Sequence, residues 1–145
     1  MIALMAIWLK TFREDHPGWS TDAADDLAAR GDTRTFYEPM SVDEQGVPQL
    51  TVAGLPLGKP KYAIGDLIVP YRNGSHEVTE IWEVIEAPRP AERAAWAWQT
   101  QVRLVGRIAG LPIVELDVEP QALGQRIKLR LRDQREATLV AAFGL

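Results

Sequence analysis

The chain contains no cysteine and only two histidines among its 145 residues. Without cysteine there is no disulfide framework, no thiolate metal site and no cysteine nucleophile. Two imidazoles leave little from which to build a transition-metal centre, because such metals favour imidazole and thiolate ligands. Catalytic signatures are missing as well: there is no P-loop, no G-x-G-x-x-G, no G-x-S-x-G and no H-E-x-x-H. Ser75 and His76 are adjacent, and neighbours on a strand point to opposite faces, so they make no nucleophile–base pair. His16 beside Glu14 and Asp15 reads as a surface turn. No cofactor and no metal are expected, and the chain reads as non-enzymatic.

Long apolar runs are lacking too. The opening M-I-A-L-M-A-I-W-L is about half the length needed to span a bilayer. It has no basic leader, and Lys10, Arg13, Glu14 and Asp15 follow at once, so a signal peptide is not expected. The expectation is a cytoplasmic protein with no membrane partner.

With 46% hydrophobic and 25% charged residues, the chain has the makeup of one folded domain, residues 1–145. The net charge of −4 conceals a segregation. Residues 1–88 carry 7 basic and 14 acidic side chains, whereas residues 89–135 carry 9 basic and 5 acidic ones. Of those nine, Arg89, Arg93, Arg103, Arg107, Arg126, Lys128, Arg130 and Arg132 are the candidates for holding a nucleic-acid backbone. A mildly acidic protein can still bind a polyanion if its positive charge gathers on one face. Scattered solvated arginines are the plainer reading of the same charges.

Hydropathy alternates along residues 2–12 with both faces largely apolar, which predicts a central strand covered on two sides. The turn His16-Pro17-Gly18 precedes a short helix capped at Ser20, Thr21 or Asp22, with Ala23, Ala24, Leu27 and Ala28 as its buried stripe and Gly31 at its end. Residues 32–60, rich in glycine and proline, read as an irregular excursion with one short strand at 49–53. Residues 62–71 read as a buried strand entered by a turn at Gly65-Asp66. Arg72-Asn73-Gly74-Ser75 supplies hairpin chemistry, and residues 77–87 answer it as the next strand. Pro88-Arg89-Pro90 is expected to break the ladder. Alternation resumes over 96–104, residues 111–123 read as loop with a helical turn, and 126–132 alternates sharply between arginine or lysine and leucine or isoleucine. Residues 138–143 suggest a terminal helical turn.

Aromatic side chains among polar ones carry what functional signal remains. Trp8 shares a strand face with Lys10, Trp19 follows the first strand, Tyr71 leads into Arg72-Asn73-Gly74, and Trp82, Trp96 and Trp98 sit in later strands. Flat aromatic walls with amide and cationic groups at the rim suit one planar heterocycle, its faces stacked and its edge read by hydrogen bonds. Trp96 and Trp98 also share a face with Val102 and Leu104, which is the pattern of plain core.

The segments I-W-L-K-T, Y-A-I-G-D-L-I-V-P-Y, E-V-T-E-I-W-E-V-I-E-A-P, W-A-W-Q-T-Q-V-R-L-V-G-R and R-I-K-L-R-L-R follow one another in an order that resembles the EVE domain of the PUA-like superfamily. The resemblance covers about three quarters of the chain and leaves residues 32–60 outside. It implies a mixed α/β (α+β) pseudo-barrel with a few short flanking helices. It also implies a nucleic-acid-binding role in which a flipped, modified base, cytosine in DNA foremost, enters a pocket. By motif position Trp8 and Lys10 match the strand that reaches the pocket, Tyr71, Arg72, Asn73 and Ser75 match its rim, and Trp82 and Trp96 match less closely. Thr11 stands where the family commonly has serine, and a Gly/Pro-rich stretch stands where it has G-V-R-N. The implied partner is nucleic acid, DNA before RNA, with room for a nuclease or restriction-system component beside it. Two alternatives remain open: an RNA-binding PUA or ASCH relative with no modified base, and a small-ligand or protein-interaction domain whose tryptophans fill a core.

Overall fold

The computed structural model describes residues 6–12, 33–38, 44–45, 47, 49–72, 75–91, 98–118 and 128–145. Its centre is a seven-stranded mixed sheet. The strands are β1 (Ile7–Phe12), β2 (Thr33–Glu38), β3 (Leu67–Arg72), β4 (Glu77–Val84), β5 (Arg89–Pro90), β6 (Trp98–Pro112) and β7 (Lys128–Leu131). They run in the order β2-β6-β4-β3-β1-β7, with β5 pairing β6. β1 and β3 run parallel, and the other paired strands are antiparallel. A 3-10 turn, Ile113–Leu116, follows β6, and helix α1, Gln134–Phe143, closes the chain. The expected α+β, barrel-like sheet is the fold.

Both faces of the sheet are covered, as the doubly apolar alternation of β1 predicts. On one side Ile7, Leu9, Leu67, Val69 and Tyr71 pack with Ile113, Leu116 and Leu139 of α1. On the other, Ile68, Trp82, Val84 and Val102 pack with Phe36 of β2 and Tyr62, and Trp8 and Leu104 border them. A strand with buried residues on both faces needs partners on both edges as well. β1 has them, lying between β3 and β7.

Several expectations need correction. Residues 33–38 form a strand inside the stretch read as irregular, because T-R-T-F-Y-E is free of glycine and proline and lies ahead of them. The suggested strand at 49–53 is instead one arm of a tight turn, joined to the other arm by a single bridge between Leu50 and Pro56. Strand β3 begins five residues later than read, since 62–66 form the turn that enters it. Pro88-Arg89-Pro90 does not end the pairing: Arg89 and Pro90 face Gln99 and Trp98 as a two-residue edge, where proline's missing N–H costs nothing. β6 runs on to Pro112, well past Leu104. The terminal helix starts four residues earlier than its apolar stripe suggests. The helix expected around residues 20–31 lies outside the described residues. No described helix is long and apolar enough to cross a membrane.

Candidate functional site

Trp8 and Lys10 leave the same face of β1, and the groups that meet them come from far along the chain. Lys10 Nζ stands 3.3 Å from Glu38 Oε1, and the two side chains are sealed from solvent, 0% and 3% exposed. The Tyr62 hydroxyl donates to the same Glu38 oxygen at 2.9 Å. Its ring meets Trp8 edge-on, with centroids 5.4 Å apart and planes at 84°. Lys10, Glu38, Tyr62 and Trp8 are therefore one continuous string of contacts, and Trp8 is its half-buried member.

The Gly65-Asp66 turn fixes the orientation of that indole. Asp66 Oδ2 accepts from Trp8 Nε1 at 3.1 Å and from the Ala63 amide at 2.9 Å, while Oδ1 accepts from the Ala6 amide at 3.2 Å. Gly65 has φ +93°, which the turn requires and a side chain would oppose. One carboxylate thus ties the start of β1, the turn before β3 and the Trp8 ring to each other. Held this way, the half-buried indole has one fixed orientation.

The electrostatics of the string favour a protonated phenol. Burial pushes Tyr62 well above the usual tyrosine range, and the Glu38 charge and its hydrogen bond push the same way. Between the ordinary tyrosine value near pH 10 and the higher folded value, the folded state holds a proton that the unfolded state has lost. Stability therefore falls as pH rises through that window, by up to about 1.4 kcal/mol per unit. Urea denaturation of the wild type and Tyr62→Phe from pH 8 to 11.5 should give a difference that is flat below about pH 10 and shrinks above it. A difference independent of pH would place the phenol in water.

The remaining expected pocket residues do not join this string. Tyr71 shares the opposite face of the sheet with Leu9 and Val69 and is buried in the core against α1. Thr11 pairs with Tyr71 in the β1–β3 register, on that same far face, and its buried Oγ1 meets no hydrogen-bond partner among the described residues. Trp82 lies on the Trp8 side but is fully buried: its Nε1 donates to Glu80 Oε2 at 2.9 Å and Phe36 meets its ring at 64°. An interior indole with its N–H satisfied and Phe36 against its ring is a supporting wall, not an open stacking surface. Ser75 is exposed and donates to the Glu77 carbonyl. Trp19, Asn73, Trp96 and the Arg72 side chain lie outside the described residues. Glu38 and Tyr62 escaped the sequence reading. The available signal was Lys10 itself: a lysine between apolar neighbours on a two-sided strand demands a buried counter-charge.

Among the described residues the candidate arginines lie on or beside separate strands, β5, β6 and β7. Arg103 and Arg107 project from β6 and are paired with Glu83 and Glu80, the latter at 3.4 Å. Arg130 and Arg132 are exposed at β7, with β4, β3 and β1 between them and β6 along the ladder. There they line an open cleft of about 390 Å³ with Arg135 and the start of α1. Glu115, Asp117 and Asp133 line it too, and Arg135 donates to the Asp117 carbonyl at 2.9 Å, so the cleft is close to charge balance. Arg89 is exposed on β5; Arg93, Arg126 and the Lys128 side chain lie outside the described residues. Among the described residues no cluster of histidine and carboxylate side chains could hold a metal ion.

No family model and no curated protein matches the chain. Solved structures do. The solution structure of Rpa0253 from Rhodopseudomonas palustris is similar with a TM-score of 0.58 and 16% identity, covering 97% of this chain and 94% of that one. The crystal structure of Atu2648 from Agrobacterium tumefaciens is similar with a TM-score of 0.56 and 15% identity, over the same shares of each chain. At such identity the likeness is one of fold, and it extends over nearly the whole length of both partners.

Proposed function

We propose that the protein is a non-enzymatic, cytoplasmic nucleic-acid-binding domain of the EVE type that recognises a single flipped base, a modified cytosine in DNA, beside Trp8. The observation that carries this reading is the Trp8 indole, half-buried, pinned by Asp66 and continuous with the buried Tyr62–Glu38–Lys10 string. A base needs a ring to stack on and groups to read its edge, and stacking on an aromatic side chain contributes about 1–3 kcal/mol per base. Glu38 and Lys10, sealed from solvent and paired with each other, do not reach the base; they anchor Tyr62, whose ring holds the indole from the side.

Extruding a base costs a few kcal/mol, so stacking alone breaks about even and backbone contacts must supply the remaining affinity. Lys59, Lys61, Arg89 and Arg130 are exposed and suited to that task, whereas Arg103 and Arg107 are partly neutralised by their glutamates. Binding should therefore weaken steeply with salt.

Trp8→Ala is expected to lose about 1–3 kcal/mol of affinity for a duplex containing 5-methylcytosine and clearly less for the unmodified duplex, with Trp8→Phe retaining most of the difference. Fluorescence anisotropy at two salt concentrations measures this. Equal losses on both duplexes would remove Trp8 from the reading surface. Tight binding to plain single-stranded RNA and none to DNA would favour an RNA-binding relative instead.

A further inference from the structure

Between the two strands that frame the site, the chain makes a small finger. Thr51 N donates to Leu55 O at 2.7 Å, Gly54 N to Thr51 O at 2.9 Å and Leu57 N to Gln49 O at 2.9 Å. The Thr51 hydroxyl accepts from Leu55 N, and Gly54 closes the turn at φ +82°. The backbone is thus held by its own hydrogen bonds. Its side chains are the reverse of what a solvent-facing turn carries: Val52 at the tip is fully exposed, with Leu50 and Leu55 exposed on either side of it.

The finger is rooted at the site. The Trp98 indole donates to the Leu57 carbonyl at 3.4 Å, Pro60 is buried, and two residues later Tyr62 meets Trp8. Its charge is also distinctive. Residues 45–65 contain no acidic side chain, although residues 1–88 hold 14 of them, and Lys59 and Lys61 are both exposed at the root. An apolar tip with a cationic, acid-free base matches a duplex, which presents apolar base faces inside and phosphates outside.

We infer that residues 49–57 are a wedge that enters the base stack and occupies the space a flipped base leaves, with Val52 and Leu55 against the neighbouring bases and Lys59 and Lys61 on the phosphates. Apolar wedges of this kind unstack a base step and hold it open. The inference rests on the base-recognition reading and adds to it the means of extrusion.

The test uses the full chain and two probes: a duplex with one 5-methylcytosine next to 2-aminopurine, and the same modified strand alone. The variant Val52→Ser/Leu55→Ser changes only exposed positions and should fold as the wild type does. It is expected to lose about 10- to 100-fold in affinity for the duplex, equivalent to the few kcal/mol of unstacking. It should bind the single strand as the wild type does, because a single strand has no stack to open. The rise in 2-aminopurine fluorescence on binding should disappear with it. Unchanged duplex affinity and an unchanged fluorescence rise overturn the wedge while leaving base recognition standing. A gel-filtration shift from dimer to monomer in the variant, with DNA binding intact, overturns it in favour of self-association. Failure of the wild type to distinguish modified from plain DNA in either form sinks the base reading, and the wedge with it.

Discussion

Lys10→Met should cost about 3–5 kcal/mol of folding stability, measured as the shift in a urea denaturation midpoint. Methionine matches the length of the lysine stem and fills its channel, so packing changes little. What changes is Glu38, whose carboxylate is 3% exposed and loses its cation while keeping the Tyr62 hydroxyl as donor. A buried carboxylate left that way must either remain charged at high cost or take up a proton. The double variant Lys10→Met/Glu38→Leu removes both charges and should recover most of the loss, because a buried ion pair is often replaceable by apolar groups of similar volume. A solvent-facing lysine at a pocket rim behaves differently: its replacement stays within about 0.5 kcal/mol. Such a small effect at Lys10 would mean that the pair is not buried in solution.

Trp82→Ala should be comparably damaging, at about 3–5 kcal/mol. Trp82 is the largest fully buried side chain among the described residues and lies in the core beneath Trp8. Its removal opens a cavity against Phe36 and strips Glu80 of the indole donor, leaving that carboxylate with Arg107. Trp82→Phe keeps most of the volume and should lose less, the remainder reflecting Glu80. Thermal denaturation of the two variants separates the volume from the hydrogen bond. If Trp82→Ala instead weakens base binding with stability intact, the indole is part of the reading surface after all.

The strands that alternate cleanly could be read from the sequence: β1, β4, β7 and the first half of β6 each carry a period of two that survives in the sheet. β2 was hidden because Thr33–Glu38, itself free of glycine and proline, was read as one segment with the Gly/Pro-rich run that begins at Gly46. The second half of β6 was hidden by Gly106, Gly110 and Pro112. A side chain at Gly106 would meet Phe143 and Ile81 only at ordinary contact distance, and Pro112 stands at the strand's last position. The charged first turn of α1 carries no apolar periodicity, so only its second half showed. The site was half legible for a different reason. Trp8 and Lys10 are two residues apart on one strand, and alternation places them together. Glu38 and Tyr62 join them across 28 and 52 residues of chain, and no local pattern records a pairing of that span. Tyr71 was misplaced because a strand's position fixes its neighbours but not which side of the sheet will carry the site.

The placement of β1 has a consequence for how the chain is made. Its two edges are closed by β3, more than fifty residues downstream, and by β7, where Leu9 faces Leu129. A ribosome delivers the first of these strands long before the last. Until residue 131 has emerged, one side of β1 offers a row of unpaired amides and carbonyls, which is the kind of edge that recruits another chain. Strand β7 therefore acts as a seal on synthesis: the nascent chain can collapse early, but that edge of β1 is closed to neighbours only once Lys128–Leu131 is in place.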